Sequence, residues 1–453
     1  MLTDALRAQP TGLTEALALI DGLDDALVHG LARIDEDRAA ALESLAEAFN
    51  GSPLAGRVSD SIGKIVSGTV TDEHLAALAG ARSALLGAAH DALLGTLSGA
   101  LGRDRLPSPP SAAGPVIVAG GSRSWLRELA IAGWRGVDHE LASAGSPAVQ
   151  ALLADPAARR LAVLLDGFAA ELRAAAPVAT LERIPVRRWA DLWSRALLLS
   201  QDGFPADPGE PVDGRFLLLG LDLHEHPTVF RAQAHGLLET AGGDVRLVRV
   251  SVAAPKVETI TGPSAWRMLA GFPIFRAAVA EHRAVEVSGL TLTGGGDLIW
   301  DESRVTAGEP ADPFATARVR LGAATAFSAT PLDRHPAAIA EPVLLEGYTP
   351  GPDALDLGGV SLPIDTDRLP VAGPLTPALI AASTACIGLL RWDAGRWLVQ
   401  PLAVQASVKK KAVAVHTGDW ALGPLDAKAA KAEAVAGTAV DVLRERAGRL
   451  LRK

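Results

Sequence analysis

The chain has 453 residues, of which 49% are hydrophobic and 21% charged, and its formal net charge is −9 at pH 7. This composition excludes a disordered chain, and the length favours roughly two to four domains. A lone cysteine, Cys386, excludes an internal disulfide and a cysteine-based zinc cage within one chain. The first residues lack the basic region and apolar core of a signal peptide, so we expect a cytoplasmic protein.

Apolar residues recur at helical spacing through the first part of the chain. Leu13, Ile20 and Leu27 lie seven residues apart and predict a helix over about 12–35, whose apolar stripe needs a helical partner. Further helices are predicted over about 38–49 and 71–101. Residues 1–104 are therefore predicted to form a helical bundle.

A second helical region follows a break in the pattern. Residues 105–115 contain four prolines and two serines and are predicted to be a linker. Helices resume in 116–204, where Trp189 and Trp193 share one face of an amphipathic segment. We interpret these two tryptophans, together with the Leu13, Ile20 and Leu27 stripe, as candidate contact surfaces for protein partners. Packing in the core is the alternative for each of them.

The hydrophobic period changes near residue 205, within a second predicted linker over 205–213. Beyond it, short alternating runs, Gly-rich turns and proline-studded loops predict an antiparallel β-rich domain over 214–422, either a barrel or small sheets. The continuous apolar run 216–221 suits a buried strand. The predicted fold class is thus α+β, with a helical bundle region, a mainly antiparallel β region and a C-terminal helix.

Local patterns predict individual elements of the β region. Residues 316–321 alternate as a strand with one wet face does, and 285–292 predict a strand bent at Ser288-Gly289. Asp393-Ala394-Gly395 is a three-residue hairpin signal between the runs 389–392 and 396–399.

Two further helices are predicted towards the end of the chain. The uncharged stretch 371–390 reaches membrane length, but prolines interrupt it, so we expect a buried helix over 377–390 and no contact with a membrane. A closing helix is predicted over about 424–451, within a basic C-terminal region, 423–453.

The charge is unevenly distributed. Residues 403–453 carry ten basic and five acidic side chains, which leaves the rest of the chain strongly acidic. An acidic body with a basic tail fits docking or self-association better than wholesale nucleic-acid binding. Protein partners, including a homo-oligomer, are therefore expected.

One short segment, Asp222-Leu223-His224-Glu225-His226, is the sharpest candidate for chemistry. His224 and His226 form an i, i+2 pair at a strand end and could coordinate a divalent metal ion, with Asp222 on the same side of the strand. His235 or His282 could complete the set. The alternative is a polar turn that follows a buried strand.

A basic run offers a different function. Lys409, Lys410 and Lys411 end a predicted strand and, with the region of Trp392, Trp397 and Trp420, could form a face for single-stranded nucleic acid. The commoner use of such lysines is a solvated strand edge that discourages aggregation. No phosphate-binding or nucleophile motif is present in full form, so no cofactor and no catalytic residue are predicted.

The second helical region contains the segment Arg187-Arg188-Trp189-Ala190-Asp191-Leu192-Trp193. With this segment, an Ala/Leu-rich helical front and a Trp-containing hairpin behind, the chain resembles certain uncharacterised actinobacterial proteins. Those are encoded beside a SWIM-type zinc-finger protein, a MoxR-type AAA+ ATPase and a von Willebrand A-domain protein. The similarity lies in overall layout and transfers no catalytic residue. It implies a non-catalytic companion of such an ATPase system, with the ATPase or the von Willebrand A-domain protein as partner.

The leading hypothesis is a soluble, non-enzymatic scaffold or adaptor of a multiprotein assembly. One alternative is a metal-dependent hydrolase that uses His224 and His226. The other is a protein that binds single-stranded nucleic acid through the β region and the basic C-terminus.

Overall fold

The structure is a computed structural model that describes residues 2–107, 113–205, 207, 209–408 and 411–424, with isolated positions between 430 and 446. Helices fill the first part and antiparallel sheets the second, which confirms the predicted α+β class. Of the predicted C-terminal helix, residues 430, 431, 434, 440–443, 445 and 446 are described and are helical; the other positions lie outside the described residues.

The helical part is built from α-helices that pack on one another. In chain order they are α1 (Leu2–Arg7), α2 (Leu13–His29), α3 (Glu36–Glu47), α4 (Ala55–Val66), α5 (Asp72–Leu101), α6 (Gly120–Ala132), α7 (His139–Ser143), α8 (Ser146–Leu153), α9 (Arg159–Ala175) and α10 (Val186–Leu199).

Local chemistry places the ends of these helices. Thr71 caps α5, its hydroxyl accepting a hydrogen bond from the His74 N–H at 3.3 Å. Helix α2 ends at Gly30, which has a φ of 89° and lies so close to the Ile131 carbonyl that a Cβ would clash. The predicted helix over 12–35 therefore stops about one turn and a half early.

One hydrophobic cluster holds the helices together. It combines residues between 23 and 81 with residues between 117 and 199. Trp134 contacts Trp189 edge-on, with ring centroids 6.2 Å apart, and contacts Phe168 in the same manner at 6.0 Å. Large aromatic rings packed this way supply much of the apolar area of a core.

Strands and short helices make up the β part. The strands are β1 (Arg105–Leu106), β2 (Glu210–Glu225), β3 (Val229–Thr240), β4 (Val245–Pro255), β5 (Arg283–Leu292), β6 (Leu298–Ile299), β7 (Val305–Pro310), β8 (Ala326–Phe327), β9 (Glu341–Glu346), β10 (Thr349–Pro350), β11 (Ala354–Asp356), β12 (Ser361–Pro363), β13 (Ser383–Asp393), β14 (Arg396–Val408) and β15 (Lys411–His416). The α-helices among them are α11 (Pro273–Ala280), α12 (Pro313–Arg320) and α13 (Pro377–Ala381).

Two antiparallel sheets dominate this part and form a nearly closed barrel. The larger has the order β4-β3-β2-β5-β6, with β7 also pairing with β5, and the smaller has the order β15-β14-β13-β9. Strand β2 is covered on both faces: Phe216 and Leu218 belong to one hydrophobic cluster, and Leu217 and Leu219 to another. The unbroken apolar run of the sequence is therefore a buried strand, as predicted.

The bend in β5 and the hairpin between β13 and β14 are confirmed, but the hairpin loop is one residue shorter than the three residues predicted. The β2–β5 register shifts between Val212 and Gly214, opposite Ser288 and Gly289. In the hairpin, Asp393 pairs with Arg396. Ala394 and Gly395 connect the strands with φ values of 46° and 77°, so the turn has two residues and a left-handed backbone at both.

Two element predictions were wrong. Residues 316–321 lie in and just after helix α12, because Pro313 occupies its first turn and the Asp312 side chain accepts from the Phe314 N–H at 2.8 Å. The predicted helix over 377–390 starts as α13 but stops at Ala381. The remainder is β13, which pairs with β14 on one side and β9 on the other. An uncharged run fits a central strand as well as a buried helix.

A buried ion-pair cluster joins the helical part to the smaller sheet. Arg103, just after α5, donates to Glu341 of β9 at 2.9 Å, and Arg105 Nη2 lies 2.8 Å from the same carboxylate. Burial alone would raise the pKa of Glu341, but the two guanidinium groups lower it below its usual value. The predicted linker over 105–115 thus begins with residues anchored in the fold, since β1 pairs in parallel with β8.

Among the described residues, one helix is long and apolar enough to cross a membrane by length and composition. This is α5, and 44% of its most apolar window is buried inside the protein. Its Leu75 and Leu78 are fully buried in the helical cluster. The helix therefore packs as a core helix does.

Candidate functional site

An open cleft of about 700 Å³ lies where β2 ends. Its walls are the end of β2 and the following turn, 222–227, part of the segment after β4, 256–261, and the loop 367–371. The predicted metal ligands Asp222, His224 and His226 all line it. The structure thus places the sharpest candidate of the sequence in a concave surface, where binding sites are usually found.

Asp222 is the centre of a buried hydrogen-bond network behind this cleft. Its Oδ2 accepts from Arg391 Nη2 at 2.7 Å, and its Oδ1 accepts from Gln400 Nε2 at 2.8 Å. Arg391 Nε in turn donates to Gln400 Oε1 at 2.6 Å. Each partner is positioned by sheet pairing, because β13 and β14 lie side by side and pack against β2. A buried carboxylate is tolerated only when it is paired in this way.

This network also orients His224. Burial alone would raise the pKa of Asp222, but the hydrogen bond with His224, the Arg391 charge and the Gln400 amide together lower it well below its usual range. Asp222 is therefore an acceptor only, so His224 Nε2, 3.0 Å away, carries the proton and donates it. The His224 side chain is 41% exposed at the cleft. Its position is set by a fixed, buried anion.

A second polar pair lies on the other wall. Lys256 has a buried side chain, and its Nζ donates to the Ile260 carbonyl at 2.9 Å. The same Nζ lies 3.8 Å from Glu225 Oε1, which also accepts from the Gly262 N–H at 3.3 Å. Burial raises the pKa of Glu225, and the Lys256 charge offsets only part of that effect.

One acceptor of this pair is unused. Glu225 Oε2 is buried and has no hydrogen-bond donor among the described residues. A buried carboxylate oxygen without a donor costs free energy.

The predicted metal set is not brought together. The Asp222 oxygens are occupied by Arg391, Gln400 and His224, while the one hydrogen bond of the His226 ring among the described residues is with Thr228 Oγ1, at 3.3 Å on the exposed side. Within the described ranges, no group of three or more His, Cys, Asp and Glu side chains is placed to hold a metal ion.

The two additional histidines do not extend the set. His235 is buried in β3, where burial lowers its pKa to about 3, with its neighbouring charges adding smaller effects. His282 Nε2 donates to Asp419 Oδ1 at 2.8 Å, and its ring is tilted against that of His416, with ring centroids 4.1 Å apart. His282 and Asp222 thus belong to separate hydrogen-bond networks.

The predicted contact residues lie in cores. Trp189 and Trp193 are buried, and the Trp193 indole N–H donates to the Leu126 carbonyl at 2.9 Å. Leu13, Ile20 and Leu27 are buried as well. Their placement matches the packing role that the sequence left open as the alternative.

The predicted nucleic-acid face is partly outside the structure. Lys409 and Lys410 lie outside the described residues, and Lys411 is the exposed first residue of β15. Trp392 and Trp397 form a buried cross-strand pair with ring centroids 5.2 Å apart, and Trp420 is half-buried. Bases stack on exposed rings, so Trp392 and Trp397 do not supply such a face.

Sequence reasoning missed the residues that support the site. Arg391 and Gln400 lie in apolar runs, Leu389-Leu390-Arg391-Trp392 and Leu398-Val399-Gln400, and the structure buries both. A polar residue inside a buried strand needs a partner, which is a signal that could have linked them to Asp222. The identity of that partner depends on strand register.

No protein-family model matches the chain, and no curated protein matches it either. The geometry of the cleft is therefore the basis for any functional assignment.

Proposed function

We propose that this protein is a non-catalytic scaffold or adaptor that binds partner proteins, and that the cleft at the end of β2 is a binding surface. One observation supports this most. The deep polar groups of the cleft, apart from Glu225 Oε2, are bonded within the protein, whereas the carboxylates of Glu258 and Asp367, unpaired among the described residues, lie at the rim. Such a surface suits recognition, because a rigid polar floor orients a partner without needing to react with it.

The described lining residues also favour binding over catalysis. Thr261 is the one hydroxyl side chain among them, and no cysteine or serine lines the cleft. The Lys256 side chain is buried, and its Nζ donates to the Ile260 carbonyl and lies 3.8 Å from Glu225 Oε1, so this amine is engaged within the fold. Chemistry in this cleft would need an attacking group from the ligand or from solvent.

The resemblance to actinobacterial companions of MoxR-type systems names the partners to test. We propose a MoxR-type AAA+ ATPase or a von Willebrand A-domain protein as the bound protein. The experiment is a pull-down of each purified partner by the full chain and by two charge-reversal variants. Glu258→Lys with Asp367→Lys alters the rim of the cleft. Glu43→Lys with Glu47→Lys changes the net charge equally on α3, far from it in the fold.

Capture by the wild type and by the α3 variant, with loss in the cleft variant, supports the proposal. A chain that captures neither partner, or a cleft variant that captures as well as the wild type, overturns it. Circular dichroism spectra that match across all three proteins exclude misfolding as the cause of a loss.

The Asp222–His224 pair favours a second candidate function, hydrolysis with His224 as general base. A histidine fixed by a buried carboxylate can serve as a general base in hydrolysis, and His224 is exposed to the cleft. A hydrolase that uses His224, with or without the metal predicted for His226, would lose its activity in His224→Ala. The test is a panel of ester, amide and phosphoester substrates with wild type and variant.

A further inference from the structure

The cleft has a chemical preference that the adaptor role alone does not specify, and this inference rests on that role. We propose that the cleft binds a basic segment of a partner protein, in which a lysine or arginine lies next to an apolar residue. The proposal depends on which charges in the cleft are already paired and which are free.

The positive groups around the cleft are all engaged. Lys256 is buried and donates to Ile260, and Arg391 is bound to Asp222. Arg368, on the loop 367–371, has its Nε 3.0 Å from the Asp365 carboxylate. An anionic ligand would therefore have to compete with Ile260, Asp222 and Asp365 for these cations.

Two carboxylates are in the opposite situation. Glu258 and Asp367 line the cleft from two different loops, are exposed, and make no ion pair with the described residues. Glu225, by contrast, is paired: its Oε1 lies 3.8 Å from Lys256 Nζ, and its Oε2 is buried. An ammonium or guanidinium group supplies several N–H donors and a positive charge, so it could pair with the exposed carboxylates at the rim.

An apolar contact lies beside these acids. Val371 lines the cleft and is 72% exposed, and the lining also includes Leu369 and Pro370. The aliphatic stem of lysine or arginine, or a neighbouring apolar residue, can cover such a surface while the charged end reaches a carboxylate. A free polyamine has the same charge but offers no apolar side chain to Val371, so a peptide segment fits better.

The experiment measures fluorescence anisotropy of a labelled peptide that alternates lysine and valine, titrated with the full-length protein at low salt. Three matched probes accompany it: the same peptide with glutamate for lysine, with serine for valine, and spermine as competitor. Binding of the Lys/Val peptide should be the tightest and should weaken as salt rises, because exposed charge pairs are screened.

The variant series tests the location. Glu258→Gln with Asp367→Asn should weaken binding of the Lys/Val peptide about fivefold, within the range known for two exposed charge pairs. Glu43→Gln with Glu47→Gln removes the same charge from α3 and should leave affinity within about 1.5-fold at moderate salt, where distant charges are screened. Val371→Ser should weaken the Lys/Val peptide more than the Lys/Ser peptide.

Two results would overturn the inference. Equal weakening by the cleft and α3 variants would mean that net charge alone attracts the peptide. If the glutamate peptide bound more tightly, or if spermine displaced the Lys/Val peptide completely at a concentration similar to that of the peptide, the ligand would not be a basic peptide segment. In either case the pull-down of intact partners still decides whether the adaptor role holds, so the two failures can be distinguished.

Discussion

The helical part and the β part each bury one aspartate against one arginine, and the two sites differ in how many donors the aspartate receives. Asp24 of α2 accepts two hydrogen bonds from Arg82 of α5, at 2.8 and 3.0 Å. Asp222 of β2 accepts from three different side chains, Arg391, Gln400 and His224. Both aspartates are almost fully buried.

The difference in donors reverses the direction of the pKa shift. Burial raises the pKa of Asp24, and the hydrogen bonds and charge of Arg82 do not outweigh it. The same burial effect on Asp222 is outweighed by its three partners, so its pKa is lowered. The number and kind of its donors thus decide whether the pKa of a buried carboxylate lies above or below its usual value.

The two sites also differ in what they support. Arg82 contacts Asp191 and the Arg187 carbonyl, so the Asp24 site ties α2, α5 and α10 together inside the helical core. The Asp222 site links β2 to the β13–β14 hairpin and, through His224, reaches the cleft. The first site serves assembly of the fold, and the second also shapes a surface.

The largest expected effect on the free energy of unfolding is that of Asp222→Ala. The change leaves Arg391 buried without its carboxylate, and breaking a buried ion pair from one side typically costs about 3–5 kcal/mol. We expect the free energy of unfolding, measured by urea denaturation at pH 7, to fall by that amount. The exposed Asp367→Asn should change it by less than about 0.5 kcal/mol. A similar small change for Asp222→Ala would contradict the proposed network.

Arg82→Met should cost less, about 2 kcal/mol, because Asp24 can take up a proton when its partner is removed and so avoids a buried, unpaired charge. Adding Asp24→Leu should restore most of the loss, since an apolar pair of similar size often replaces a buried ion pair without penalty. The same urea titration gives both values. A double variant less stable than Arg82→Met would show that Asp24 has further partners to satisfy.

Lowering the pH should change the contributions of Asp222 and Asp24 to the free energy of unfolding in opposite directions. The folded pKa of Asp222 lies below its unfolded value, so its stabilisation is present above about pH 4 and is lost as the pH falls below that. The folded pKa of Asp24 lies above its unfolded value, so its contribution is present below about pH 4 and is lost as the pH rises through the folded pKa.

The measurement for this prediction is the free energy of unfolding between pH 3 and pH 7 for the wild type, Asp222→Asn and Asp24→Asn. As the pH falls, the difference in the free energy of unfolding between the wild type and Asp222→Asn should become smaller. The stability of the wild type relative to Asp24→Asn should instead increase. Curves that run parallel for all three proteins would refute the opposite pKa shifts.

The comparison also explains which parts of the structure could be predicted from the sequence. The spacing of apolar residues located α5, predicted over 71–101, and turn chemistry located the hairpin at Asp393-Ala394-Gly395, because these signals are local. Residues 377–390 were misassigned because an apolar run without charge fits two kinds of buried element. Only the pairing of β13 with both β9 and β14 decides between them.

The candidate site, too, could be predicted only where its residues are close together in the sequence. Asp222 and His224 were singled out by their spacing on one strand, and they do lie together at a cleft. Arg391 and Gln400 are more than 160 residues away in the chain, so only the packing of two sheets brings them to Asp222. The metal interpretation failed to include them because spacing identifies neighbours on one strand and gives no information on partners from another.

The smallest expected effect is that of added metal ions on the melting temperature. Adding zinc or manganese in slight excess should shift the melting temperature by less than about 1 °C, whereas a site occupied at a hundred times its Kd would stabilise the fold by about 2.7 kcal/mol. His226→Ala should also leave the melting temperature nearly unchanged, since its ring is exposed and has one 3.3 Å contact. A shift of several degrees with metal that disappears in both His224→Ala and His226→Ala would instead establish the metal site, and Asp222 would then have to exchange Arg391 or Gln400 for the ion.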